Sequence, residues 1–265
     1  MKSHKLALQE KGLYVNQKFS KKFKNFLGLD GINSLSELTE LIQERSEQLM
    51  GMSSSEADKL KKISWIPTNQ MIVNHLNKNG SLFPLDVGTG FNAYLSLSYL
   101  EANSKAFVST IDDKEHRVAR HTQRHSRLMA SCFDVTKADF QPEIHDGLMS
   151  SFCFEYICST KLLKTLQALG KSLSKDAPFA IGSYGCDVAV RFPKDFGSTN
   201  FSPMYEMLGR EDWNPVTLEN IKDTLTKAGF EITKITYTEP ETDDPLIALV
   251  MRSRVIEGFY RGIAK

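Results

Sequence analysis

From residue 82 onward, short apolar runs alternate with longer segments of helical character, and this alternation constrains the fold more than any other feature. A strand, a crossover helix and a second strand build a parallel sheet, because the helix returns the chain to its starting edge. Strands are predicted at 82–87, 106–111, 132–138, 151–158 and 177–183, with helices near 92–103, 114–130, 161–174 and 217–228. The chain then closes with predicted strands at 229–238 and 244–253, and the short turn-rich segment between them requires an antiparallel pair.

The first 80 residues contain no strand-like run of useful length and are predicted to be helical. Two capping-box patterns, SLSE at 34–37 and SSSE at 53–56, precede apolar residues at helical spacing, and a further helix is expected from Pro67 to Gly80. The predicted organisation is a helical N-terminal cap over 1–80, a main domain over 81–254 with an insertion near 184–215, and a C-terminal tail over 255–265.

The charge balance of the chain restricts the partners that it can attract. Its 265 residues include 33 Lys and Arg against 32 Asp and Glu, a formal charge of +1. This balance gives no overall field for nucleic acid or an acidic membrane, so such a partner would need a local patch. No apolar run is long enough for a signal peptide or a membrane-spanning helix, so we expect a cytoplasmic location. The four cysteines form no CxxC pair and are expected to be reduced, buried thiols.

The first predicted strand of the main domain runs into the loop LDVGTGFNA at 85–93. Gly88 and Gly90 allow a ligand to approach the main chain closely, and Asn92 tolerates a left-handed backbone at a tight position. With Ala93 in the last place, the loop satisfies the GxGxxG/A dinucleotide pattern, and Asp112 follows at the end of the second strand, where it would bind a ribose diol. An NAD-binding site is one interpretation of this pattern.

Asp86 favours a different ligand. It lies two residues before the first glycine, and its carboxylate would stand beside the space that a pyrophosphate occupies in a dinucleotide site. A ligand that has both a ribose and a cationic end, such as S-adenosylmethionine, avoids this conflict. Asp86 would then lie near the ammonium and sulfonium groups, and Asp112 would bind the ribose.

These residues, together with the Ala138-Asp139-Phe140 tripeptide, resemble the first three motifs of class I S-adenosylmethionine-dependent methyltransferases over roughly residues 65–253. The resemblance implies a Rossmann-like α/β fold, with a seven-stranded, mostly parallel sheet of order 3-2-1-4-5-7-6 in which strand 7 is antiparallel. It also implies S-adenosylmethionine as the cofactor, with Asp86 and the glycine loop at the methionine end, Asp112 on the ribose and Asp139 with Phe140 on the adenine. The full set of implied cofactor contacts is Asp86, Gly88, Thr89, Gly90, Asn92, Asp112, Asp113, Asp139, Phe140 and Ser159, the last at the fourth motif. Asn92 departs from the family pattern, because many members have a third glycine there.

The acceptor is predicted to be a small molecule, methylated at oxygen, nitrogen or carbon. No Asn/Asp-Pro-Pro-aromatic tetrapeptide follows the fourth predicted strand, which counts against adenine and glutamine acceptors, and Cys158 lacks the proline that accompanies a cytosine-C5 nucleophile. The long connection 184–215 is rich in aromatic residues and is expected to lie over the cleft. Tyr184, Tyr205 and Trp213 are its candidate substrate contacts, although packing of the connection explains such aromatics equally well. No catalytic residue is identified, and the oligomeric state is not predicted.

Local basic segments leave an RNA or protein acceptor as the alternative, together with the NAD-dependent oxidoreductase and a non-catalytic cofactor-binding module. Four arginines are predicted to form one stripe on the helix after the second strand, namely Arg117, Arg120, Arg124 and Arg127, and a lysine cluster lies at 18–24. A solvated helix face is the favoured explanation. His121 and His125 have a metal-compatible spacing but no third ligand, so a surface pair and no metal site are predicted. His75 and His145 would be general bases only if they face the cleft.

Overall fold

The computed structural model describes residues 13–15, 54–90, 93–121, 124–154, 157, 159–184, 188–190, 218–238 and 253–263. Its helices are α1 (Ser54–Lys78), α2 (Tyr94–Ala102), α3 (Glu115–His121), α4 (Ser159–Ser172) and α5 (Leu218–Lys227), and a 3₁₀ helix spans Val135–Lys137. Its strands are β1 (Leu13–Val15), β2 (Pro84–Val87), β3 (Val108–Asp112), β4 (Leu128–Cys132), β5 (Gly147–Ser151), β6 (Pro178–Tyr184), β7 (Val188–Val190), β8 (Phe230–Thr238) and β9 (Ser253–Tyr260).

The chain divides into two compact units. The larger unit comprises Trp65–Tyr184, Val216–Thr238 and Ser253–Lys265, and it contains the seven-stranded sheet. In the smaller unit, β1 pairs antiparallel with β7. This pairing corrects the prediction that the first 80 residues form no strand.

The seven-stranded sheet has the order β4-β3-β2-β5-β6-β9-β8. The first five of these strands are mutually parallel, whereas β9 runs antiparallel to both β6 and β8. Counted along the chain within this sheet, the order is 3-2-1-4-5-7-6 with strand 7 antiparallel, as predicted. Parallel strands share their carboxyl edge, so the residues that follow β2, β3, β5 and β6 lie at one edge of the sheet.

Two parallel strands begin four residues earlier than predicted. The third strand is Leu128–Cys132, and within the segment predicted as strand, 132–138, the structure has a 3₁₀ helix, which Asp134 caps by accepting a hydrogen bond from the Thr136 N–H at 2.9 Å. The fourth is Gly147–Ser151, and Phe152 ends it with a left-handed backbone at φ 55°. Phe154 and Ile157, in the apolar run that follows β5, are buried in the core, and residues 152–154 are not part of a strand. An apolar run alone does not distinguish these two outcomes.

The last strand is also displaced from its predicted position. Residues 253–260 form β9, so most of the segment predicted as a C-terminal tail is an interior strand of the sheet, and of the strand predicted at 244–253 only residue 253 lies within the described residues. Nearly every residue of β9 is buried, because the strand lies between β6 and β8 with both faces covered. Residues 239–252 lie outside the described part of the chain.

The helices differ from prediction at two places. α1 is one continuous helix through Pro67, where two helices were predicted. Pro67 lacks an N–H and so cannot bond the carbonyl four residues earlier, yet the helix continues and buries Ile72, Val73 and Leu76. α3 ends at His121 and is shorter than predicted.

The larger unit has a three-layer core. One face of the sheet packs on leucines of α4 and α5, and the other packs on α1 and α2. Gly182 on β6 allows the second packing, because a Cβ there would overlap the Thr68 side chain on α1. Among the described residues no helix is long and apolar enough to span a membrane.

Candidate cofactor site

The glycine loop leaves the carboxyl end of β2 and is fixed against β3. The N–H groups of Gly88 and Thr89 donate to the Ile111 carbonyl at 2.9 and 3.3 Å. Gly88 and Gly90 have left-handed φ values of 74° and 68°, which other residues adopt only at a cost. A Cβ on Gly90 would have no atom of the described residues within 4 Å, so these residues leave space for a ligand beside this part of the loop.

Gly88 is required for a second reason, which lies in the neighbouring strand. A Cβ on Gly88 would overlap the Sγ and Cβ atoms of Cys153, which follows the end of β5. The sequence pattern identifies the glycine, but it gives no sign of this contact, because the two residues are 65 positions apart in the chain.

Asp112 ends β3 directly beside the loop. Its Oδ2 accepts a hydrogen bond from the Gly90 N–H at 2.9 Å, its Oδ1 accepts one from the Lys114 N–H at 3.1 Å, and the Arg117 guanidinium lies 3.4 Å from both oxygens. The residue is 5% exposed. The carboxylate is therefore held in one orientation at the edge where a ribose would lie. Asp113, the adjacent predicted contact, is exposed and pairs with Lys114 at 3.1 Å.

Asp86 is buried within β2 and does not face solvent. It is 1% exposed, and its Oδ2 accepts a hydrogen bond from Ser96 Oγ on α2 at 2.5 Å. Burial raises the pKa of the Asp86 carboxyl to about 7, the Ser96 hydrogen bond opposes this rise, and the charge of Asp112 adds to it. The site thus contains one carboxyl group poised to change charge near neutral pH, which the sequence pattern does not reveal.

The left-handed position that ends the loop is Ala93. Its φ and ψ are 50° and 33°, it is fully buried, and it stands at the N-cap of α2 without a side-chain cap. Alanine in this conformation carries strain of roughly 1–2 kcal/mol. Asn92, for which we predicted the left-handed backbone, lies outside the described residues.

Beyond β4, an aromatic pair lies next to Asp112. The Phe133 N–H donates to the Asp112 carbonyl at 3.1 Å, and the Phe133 ring meets the Phe140 ring edge-on with centroids 5.7 Å apart. Asp139 is exposed beside this pair. Because β4 ends earlier than predicted, the acid closest to the strand end is Asp134, and the sequence analysis missed both it and Phe133.

The residues predicted after the fourth strand are also placed differently. Ser159 is the first residue of α4 and not a strand-end residue, since β5 ends at Ser151. Tyr184 is the last residue of β6, at the carboxyl edge of the sheet. Cys158, Tyr205 and Trp213 lie outside the described residues.

The basic and histidine residues require several corrections. Arg127 does not share a helical stripe with Arg117, because α3 ends at His121 and the Arg127 guanidinium donates to three backbone carbonyls at and after the end of α2, at 2.7 to 2.8 Å. His121 is fully buried against the glycine loop and not part of a surface pair.

The two candidate general bases lie away from the loop. His75 is near the Gly258 carbonyl at 3.4 Å and the Glu257 carboxylate at 3.7 Å, on the side of the sheet that α1 covers. His145 precedes β5, at the opposite edge of the sheet, and stacks on Phe83. Of the cysteines that the structure describes, Cys132 is exposed and Cys153 half-buried, so the expectation of buried thiols is wrong for Cys132.

No protein-family model matches the chain, and no curated protein sequence matches it. Solved structures do match it. The chain solved in complex with the Trm112 methyltransferase activator of Haloferax volcanii has a TM-score of 0.59 at 14% identity, over 78% of this chain and 94% of its own. An S-adenosylmethionine-dependent methyltransferase from Mesorhizobium loti has a TM-score of 0.54 at 15% identity, over 73% and 96%.

A third match, the [4+2]-cyclase SpnF, has a TM-score of 0.52 at 13% identity, over 74% of this chain and 80% of its own. With the strand order, these likenesses establish that the chain has the Rossmann-like fold of class I methyltransferases. No subfamily is identified. Because the structures similar to this chain include a cyclase, the fold alone does not define the reaction.

Proposed function

We propose that this protein binds S-adenosylmethionine and transfers its methyl group to a small-molecule acceptor. The observation that carries the proposal is the group formed by Gly88, Gly90 and Asp112, held together at the carboxyl edge of the sheet beside the buried Asp86. Open α/β sheets bind ligands at this edge.

The residues present fit the cofactor in shape and in charge. The left-handed glycines and the open space at Gly90 allow close approach of a ligand to the main chain. Asp112 offers a fixed carboxylate, and such a group binds a ribose diol. Asp86 is buried and hydrogen-bonded to Ser96, so it acts on a ligand only through its charge; when it is ionised, that charge favours a cationic ligand over a pyrophosphate.

The strand order of the sheet also favours this proposal over the NAD-dependent alternative. Dinucleotide-binding sheets commonly have the order 3-2-1-4-5-6. Here the antiparallel β9 lies between β6 and β8. That arrangement favours the methyltransferase reading of the glycine loop.

The chain's own residues have defined tasks in this proposal. When bound, S-adenosylmethionine supplies an activated methyl group on a sulfonium. Gly88 and Gly90 hold the ligand against the main chain, Asp112 orients the ribose, and Phe140 with Asp139 contacts the adenine beside Phe133. Transfer by in-line displacement then depends on alignment and exclusion of water, with a base needed only if the acceptor must lose a proton.

Two observations support a small acceptor over a macromolecule. Two of the four arginines of the predicted stripe are engaged within the protein, Arg117 by Asp112 and Arg127 by backbone carbonyls. The net charge of +1 gives no general attraction for a polyanion. Tyr184, Tyr205 and Trp213, all within the 184–215 insertion, remain the proposed substrate contacts.

Isothermal calorimetry of the purified protein with S-adenosylmethionine and S-adenosylhomocysteine tests the proposal. We expect both ligands to bind. NADH should show no binding in calorimetry and no fluorescence enhancement on mixing. Binding of NADH in place of the sulfur ligands would overturn the proposal. Native mass spectrometry for a co-purifying ligand, followed by methylation assays with radiolabelled cofactor on small-molecule extracts and on RNA, separates the acceptor classes.

A further inference from the structure

His121 contacts the glycine loop at the residue that also contacts Asp112. Its Nε2 lies 2.7 Å from the Gly90 carbonyl oxygen, and the Gly90 N–H donates to Asp112 Oδ2 at 2.9 Å. Both polar groups of this one peptide residue are therefore fixed by side chains. One of them comes from β3 and the other from α3, which follows β3 directly.

The chemistry of the contact determines which nitrogen carries the proton. A carbonyl oxygen only accepts, so Nε2 must donate to Gly90. Burial lowers the pKa of the His121 imidazole, with Arg124 and Arg120 acting in the same direction and the Gly90 carbonyl and Asp112 opposing them. The lowered pKa favours the neutral ring, and in the neutral ring the contact with Gly90 requires the proton to be on Nε2. Nδ1 is then a bare acceptor, and within the described residues it is buried without a hydrogen-bond partner.

We infer that His121 is a positioning residue for the cofactor: through its Nε2–H bond to the Gly90 carbonyl, it fixes the backbone angles of Gly90 and thereby the Gly90 N–H that orients the Asp112 carboxylate for the ribose. The inference rests on the proposed function. Gly90 needs such support because glycine has more backbone freedom than any other residue and no side chain of its own to restrain the loop. His121 supplies this restraint from the neighbouring helix.

Loss of the Nε2 donor should weaken ligand binding without unfolding the protein. We expect His121→Phe, which keeps an aromatic ring but has no donor, to reduce affinity for S-adenosylhomocysteine about tenfold, the effect of one well-placed hydrogen bond. His121→Gln places an amide N–H at a similar reach and should stay within about threefold of the wild type. His121→Asn is too short and should resemble His121→Phe. His116→Gln is the matched control, since His116 is exposed on the same helix.

A purely structural role for His121 predicts a different pattern. It would lower the melting temperature without changing the affinity of the folded protein, and His121→Gln would give no rescue. Repeating the His121→Phe change in an Asp112→Asn background provides a second test, because little further loss is expected once the ribose contact is gone. A full tenfold loss in that background would overturn the coupling through Asp112.

The outcomes separate the two proposals. If the wild type binds S-adenosylhomocysteine and His121→Phe binds it equally well, the role of His121 is overturned and the proposed function stands. If the wild type binds neither sulfur ligand, both fall. If His121→Phe does not fold, ¹⁵N NMR of the wild-type histidines decides: a proton on Nε2 of His121 at pH 7 supports the inference, whereas an Nδ1–H tautomer, which has no donor for the Gly90 carbonyl, overturns it.

Discussion

The buried Asp86 carboxyl should make the stability of this protein depend on pH in an unusual direction. Its pKa rises from 3.8 to about 7 on folding, chiefly through burial. Between these values the folded state binds the proton more tightly than the unfolded state. The group therefore contributes stability that is fully present below about pH 4 and is lost as the pH rises through about 7. The difference corresponds to roughly 4 kcal/mol as an upper bound.

The assay compares urea unfolding of the wild type and Asp86→Asn from pH 5 to pH 8. Asparagine keeps the acceptor for Ser96 but has no proton to lose. As the pH rises, the free energy of unfolding of the variant should therefore increase relative to that of the wild type by about 2 kcal/mol or more. Any constant offset due to the amide cancels, because only the change with pH is compared. Asp223→Asn, which removes an exposed carboxyl on α5, is the control. Parallel pH curves for the wild type and Asp86→Asn would refute the reasoning.

Three further predictions concern the loop and its surroundings. Asp112→Asn should weaken binding of S-adenosylhomocysteine by about 1–3 kcal/mol in calorimetry, because a charge-assisted contact is lost; unchanged affinity would place the ribose elsewhere. Gly88→Ala and Gly90→Ala both put a side chain at a left-handed φ, at about 1–2 kcal/mol each, but only the first also meets Cys153. Gly88→Ala should therefore be more destabilising than Gly90→Ala in thermal unfolding. Equal losses of stability in the two variants would contradict the contact with Cys153. Arg127→Ala should destabilise the protein by about 2–3 kcal/mol by leaving backbone carbonyls unpaired, and it should leave affinity for heparin unchanged; a large drop in heparin binding would restore the phosphate-tracking role.

Local pattern was enough to predict the loop and the acids beside it. Gly88 and Gly90 are required by backbone angles, Asp86 and Asp112 stand at fixed distances from them along the chain, and strand and helix alternate around them. Each of these properties depends on residues near one another in sequence. The parallel sheet and its order followed from the same pattern together with the family resemblance.

Strand boundaries were harder to predict because several apolar segments compete for the same positions. The run after β5 resembles a strand, yet the backbone pairs at 147–151, and residues 253–260, most of which were predicted as a tail, form β9. Pairing depends on the neighbouring strands and on which side chains the helices cover. A hydrophobic run indicates that a segment is buried, but strands and packed loops are both buried, so the run does not distinguish them.

The sequence by itself determined the fold class and placed the glycine loop and its two acids at the carboxyl edge of the sheet, because propensity, glycine conformation and charge are properties of short segments. The tertiary structure decided what each side chain does there. It placed Cys153 over Gly88, Ser96 on Asp86 and His121 on the Gly90 carbonyl, contacts between residues separated by 10 to 65 positions in the chain. Such contacts form only when strands and helices pack, since burial and hydrogen-bond geometry depend on distances that the sequence does not contain.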